Sequence, residues 1–109
     1  MAATDFNTLF QTLMDGMADI ARDTIKRSVK EATKEGRTAL TVLKGDLERW
    51  TQMVADGELS IEDMEFLLAG RKELAEMTAL SRLGIARIEL DKFKDGIISL
   101  VVNTVGKVI

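Results

Sequence analysis

The sequence holds no histidine, no cysteine, no proline and no tyrosine. Without histidine, the usual general base near neutral pH and the commonest transition-metal ligand are missing. Without cysteine there is no disulfide, no thiolate nucleophile and no sulfur-ligated metal, and the redox compartment leaves no trace. No glycine-rich phosphate loop appears, and no serine or threonine has a histidine to activate it. No enzyme, no cofactor and no metal site is therefore expected. Aromatic residues are only 5% and the net charge is −3. Base stacking and phosphate neutralisation both lack their residues, so no nucleic-acid partner is expected. The opening "MAATDFNTLF" lacks the basic and apolar regions of a secretory signal. No window reaches the run of about 18–20 apolar residues that a membrane span needs. The expected location is cytoplasmic.

What is present is a folded-protein composition. Across 109 residues, 46% are hydrophobic and 30% are charged, which suits one domain over 1–109. With no proline, nothing in the chain forces a helix to stop. The strongest turn signal is "VADGELSIEDMEF", where Asp56-Gly57 suits a helix end and a left-handed position. Ser60 then reads as an N-cap with Asp63 as its capping-box partner, and Leu59 and Met64 as a hydrophobic staple. The reading is helix one over about 4–55, a turn over 56–59 and helix two over about 60–107.

An eleven-residue repeat supports a continuous first helix. Its positions are Phe10, Met14, Met17; Ala21, Ile25, Ser28; Ala32, Gly36, Ala39; Leu43, Leu47, Trp50; and Val54, with Ser28 the lone polar member. Eleven residues in three turns is about 3.67 per turn, nearly a straight helix. Such a helix would be about 75 Å long at about 1.5 Å per residue. Gly36 and Gly45 mark where a break would fall. Helix two shows a similar series through Met64, Leu68, Ala75, Ala79, Leu83, Ala86, Leu90, Ile97, Val101 and Val105. Folding the chain at Gly57–Leu59 sets residue x opposite a residue near 116 minus x. Small residues then meet, with Ala32, Gly36 and Ala39 against Ala75, Ala79 and Ala86, a set expected to pack the helices closely. Trp50 falls opposite Phe66.

The chain closes on "GIISLVVNTVGKVI", apolar nearly all round a helix. A second apolar stripe, Leu67, Leu74, Met77, Ile85 and Ile88, runs along helix two. One neighbouring helix cannot cover both faces. These residues, with Ile98, Val102 and Ile109, are the expected self-association surface. The expected fold is all-α: an antiparallel helical hairpin of two long helices, assembling into a four-helix or larger bundle as a homo-oligomer, most simply a dimer.

The stretch "DGELSIEDMEFL" resembles the back half of an EF-hand loop. Gln52 and Val54 stand where its first oxygen ligands are needed, and Val54 cannot ligate, so the stretch reads as an ordinary corner. Glu62 with Glu65, and Glu73 with Glu76, share helix faces, but no Glu-x-x-His accompanies them. From Arg22 to Arg37 basic residues outnumber acidic ones, while Asp56 to Glu65 holds acids and no base. Patches of opposite sign could pair between neighbouring molecules. The leading expectation is a non-enzymatic structural or interaction protein that self-associates, with an unspecified protein partner also possible. The alternative is binding of lipid or a hydrophobic ligand, with a membrane surface possible but not favoured.

Overall fold

The apolar stripe of helix one holds as a core, but the rod does not. In the computed structural model, which describes residues 3–108, helical segments follow one another with no strand among the described residues. They are α1 (Ala3–Thr24), α2 (Val29–Val42), α3 (Lys44–Ala55), α4 (Ile61–Ala69), α5 (Lys72–Ala75), α6 (Thr78–Arg82) and α7 (Arg87–Val108). The chain is all-α. Its longest dimension is 42 Å, which excludes an unbroken helix over 4–55.

The first reversal falls at Ser28, the one polar member of the stripe. Ser28 takes a left-handed conformation with φ 61°, which costs a non-glycine residue about 1 kcal/mol or more. Contacts from α7 and its approach hold it there. The Lys26 amide donates to Glu89 Oε1 at 3.0 Å, and the Arg27 guanidinium donates to the Gly84 carbonyl at 3.3 Å. Ile25 is fully enclosed beside them. α2 therefore folds back along α1, and Arg37 Nε donates to the Met14 carbonyl at 3.0 Å. At Leu43 the helix is jointed rather than broken, because the Leu43 amide still reaches Ala39 and Leu47 reaches Leu43. Along the stripe every member except Met14, Ser28 and Val54 is buried.

α1 and α7 lie side by side and antiparallel. A Cβ on Gly16 would meet Leu100 at 3.3 Å, and one on Gly96 would meet Ile20 at 2.7 Å. Both pairs obey the expected 116 minus x relation. These glycines, one on each helix, set the close approach. Gly36 lies on α2 where α1 and α7 meet, facing Met17 and Phe93. A simple hairpin would instead place Ala79 or Leu80 nearest to it.

The corner between α3 and α4 forms as its residues dictate. Gly57 is left-handed with φ 79°, and the Glu58 amide closes on Met53 at 2.9 Å. Ser60 Oγ accepts from the Asp63 amide at 3.0 Å, and Asp63 Oδ2 accepts from the Ser60 amide at 3.2 Å.

Helix two does not run unbroken over 60–107. Arg71 is extended, and its guanidinium holds Asp46 of α3 at 3.2 Å. Met77 is left-handed with φ 41° and only 3% exposed. Burying its side chain yields about 1.5–3 kcal/mol, which offsets the strain. Gly84, left-handed with φ 80°, ends α6. Through this region the interior residues are Leu74, Met77, Leu80 and Ile85, while Ala79, Leu83 and Ala86 face outward. Most of the described apolar side chains of the tail are covered by their own chain. α7 packs against α1 and α4, and Ile97, Val101 and Val105 are 0% exposed, Ile98 6% and Val102 8%.

Candidate interaction surface

Because α2 buries Ala32, Gly36, Ala39 and Leu40, its opposite side is free for other use. Lys30, Lys34, Arg37 and Thr41 follow at i, i+4, i+7 and i+11, one face of a helix. With Thr33, Thr38 and Val42 they line a shallow, open surface groove of about 500 Å³, every lining residue coming from α2 itself. The threonine hydroxyls are committed as donors. Thr33 donates to Val29 O at 2.8 Å, Thr38 to Lys34 O at 2.9 Å and Thr41 to Arg37 O at 2.8 Å. Their methyl groups and the aliphatic stems of the lysines remain to form the floor. Val42, 59% exposed, extends that floor at one end. Lys30 and Lys34 are exposed, and neither forms an ion pair among the described residues. The groove is apolar below and cationic at its rim, with no carboxylate in its lining.

A second surface has the opposite character. α4 turns Met64 and Leu68 inward. Glu62, Glu65, Phe66 and Ala69 then share its outer face, all exposed. Phe66 is 80% exposed, so it does not pack against Trp50 as a straight hairpin requires. Phe66 stands two residues from both Met64 and Leu68, so it faces outward when they face inward, and beyond α4 Leu74 and Met77 fill the interior. Asp63 and Asp56 are engaged, by the Ser60 cap and by the Gln52 amide at 3.0 Å. Glu62 and Glu65 have no ion-pair partner among the described residues.

A smaller hollow of about 240 Å³ is lined by Glu35, Lys72, Glu73, Glu76 and Met77. Glu73 Oε1 is enclosed without a hydrogen bond, and Arg71 Nε stands 3.6 Å from it. Among the described residues no group of three carboxylates is placed to hold a metal ion, and no helix is long and apolar enough to cross a membrane.

Comparison with known proteins returns no match. No protein-family model matches this chain, and no curated protein and no solved structure matches it.

The residues read as a self-association surface are divided by the fold. Leu74, Met77, Ile85, Ile98 and Val102 are buried within one chain. The reason is that α4 to α6 wrap back over the core instead of extending as one helix. Leu67 is half-buried, Ile88 is 66% exposed, and Ile109 lies outside the described residues. Of the small residues, Ala32, Gly36 and Ala39 are interior, Ala75 is half-buried, and Ala79 and Ala86 are exposed. Ala79 and Ala86 lie on the outside because α5 and α6 are short and rotated relative to a continuous helix. The Arg22–Arg37 basic excess was visible in the sequence, but the gathering of Lys30, Lys34 and Arg37 on the outer face of α2 was not. Phe66 belongs to neither apolar stripe of helix two, and its spacing from Glu62 and Glu65 was the signal that it faces outward.

Proposed function

We propose that this protein is a non-enzymatic interaction protein that self-associates, most simply as a dimer of the folded chain. The observation that supports it is the pair of unlike surfaces on one molecule. One is a cationic groove with an apolar floor. The other is an acidic helix face bearing a solvent-facing phenylalanine. Single exposed apolar residues are ordinary on protein surfaces. Phe66 differs in being the most exposed of the large hydrophobic side chains and in lying between unpaired carboxylates. Ile97, Ile98, Val101, Val102 and Val105 of the tail contribute little to an exposed surface, because they are buried within the chain. The same fact weakens the lipid-binding alternative, which needs a broad apolar face open to a bilayer. The absence of histidine, cysteine and tyrosine supports a binding role over chemistry.

The test is mass in solution. Light scattering and sedimentation from about 1 to about 500 µM should show the mean mass rising with concentration from the 12.0 kDa of one chain. A constant monomer mass over that range refutes the reading.

A further inference from the structure

We infer that the occupant of the α2 groove is the α4 face of a second copy of this chain, with Phe66 seated on the groove floor and Glu62 and Glu65 against Lys30 and Lys34. This inference rests on the self-association reading and names its surfaces. The groove's chemistry selects the occupant. The hydroxyls of Thr33, Thr38 and Thr41 donate to their own helix, and Arg37 Nε donates to the Met14 carbonyl. What remains is a face of methyl groups and aliphatic stems carrying the Lys30 and Lys34 ammonium groups and the outer nitrogens of the exposed Arg37 guanidinium. That suits an amphipathic helix carrying an apolar knob flanked by acids, docked helix-in-groove. α4 has this pattern, with Glu62, Glu65, Phe66 and Ala69 on one exposed face. An anionic bilayer is the poorer fit, because the chain's net charge is −3.

Charge complementarity supports the same pairing. Lys30 and Lys34 on one side and Glu62 and Glu65 on the other remain unpaired among the described residues of a single chain. Because the two patches differ, a two-fold pair would use the contact twice, once in each direction. A central aromatic ringed by opposite charges is the usual composition of an energetic centre, and the charges set orientation and exclude the reversed docking.

The experiment uses two charge-reversed full-length variants, Lys30→Glu/Lys34→Glu and Glu62→Lys/Glu65→Lys. All four side chains are exposed, so helicity and melting should stay close to wild type. The first variant has an acidic groove and an acidic α4; the second has a basic groove and a basic α4. Each alone should remain at monomer mass where the wild type associates. An equimolar mixture should regain the wild-type mass, because both contacts are restored between unlike chains. Phe66→Ser, at an 80% exposed site, should raise the dissociation constant at least about tenfold. Wild-type association should weaken as salt rises from about 0.05 to about 0.5 M. If the wild type associates and both variants still do, this docking is overturned while self-association stands, through another surface. If both variants lose association and the mixture does not regain it, the charge pairing is overturned. If the wild type is monomeric throughout, the docking and the self-association reading fall together. In that case, sedimentation of the wild type with anionic vesicles, lost in Lys30→Glu/Lys34→Glu, would give the groove to a membrane surface.

Discussion

Gly36→Ala and Gly45→Ala make the same chemical change in two consecutive helices and should move stability in opposite directions. A methyl on Gly36 would lie 2.9 Å from Met17 Cγ, nearer still to its sulfur, and 3.1 Å from Phe93 Cζ. Favourable carbon contacts are about 3.5–4.0 Å, so Met17 must move by about 1 Å. It has little room, since Met17 and Phe93 are both 0% exposed. Overpacking of this kind costs about 1–3 kcal/mol. Removing a helical glycine returns up to about 1 kcal/mol. Gly36→Ala should therefore be neutral to destabilising by about 2 kcal/mol. A methyl on Gly45 meets nothing within 4 Å, so that variant should gain up to about 1 kcal/mol. The propensity gain is common to both, and the difference between them isolates the packing term at about 1–3 kcal/mol. Urea melts should show the two midpoints on opposite sides of wild type at unchanged slope, with melting temperatures at least about 4 °C apart. Equal stabilities, or a more stable Gly36 variant, would show that Gly36 is not the junction of α1, α2 and α7. Adding Met17→Ala to Gly36→Ala should cost less than the sum of the single changes by about 0.5 kcal/mol or more, since the smaller side chain makes room.

Ser60→Ala removes the acceptor of the Asp63 amide at 3.0 Å, and should cost about 1 kcal/mol in a denaturant melt; no change would mean that the α4 cap contributes nothing. Ile98→Asp/Val102→Asp places charge at sites only 6% and 8% exposed within one chain. It should unfold the protomer, costing several kcal/mol, and be read as a collapse of far-ultraviolet helicity. A well-folded variant of lower mass would restore the tail as a seam between copies.

The sequence was most informative where the fold is simplest. The repeat from Phe10 to Val54 names interior positions correctly because each helical segment keeps the same face inward across the reversal. Its single polar slot, Ser28, is where the chain turns. Local rules give no turn there, since no glycine or proline marks it. The stabilising partners are distant, with Glu89 lying 63 residues from the amide it accepts. The α3–α4 corner, by contrast, is held by neighbours in sequence, and Gly57, Ser60 and Asp63 suffice to place it. Over 70–86 the periodicity misled. It set Ala79 and Ala86 inward, whereas burial of Leu74, Met77 and Ile85 decided the path; the simple hairpin register set Phe66 against Trp50, although α4 turns it outward. Of the proposed surfaces, the charges of Lys30, Lys34, Glu62 and Glu65 were legible. The exposure of the α2 face follows from the reversal at Ser28, which spacing alone does not encode.

The antiparallel pairing of α1 with α7 has a kinetic consequence. Gly16 meets Leu100 and Ile20 meets Gly96, contacts that close loops of about eighty residues. The Met17–Gly36 contact closes one of about twenty. Loop closure grows with the logarithm of length, so the fourfold longer loop carries only about 1 kcal/mol more entropy if formed directly. That is still enough to favour an order of events, in which α1 and α2 associate early and α7 docks onto the pair. The transition state for folding should then contain Met17 and Gly36 in native-like contact while Leu100 is still unplaced. Substitutions at the first pair would slow folding, and those at Leu100 would mainly hasten unfolding. For a helical protein this chain should fold slowly, because its longest helices are partners from opposite ends of the sequence.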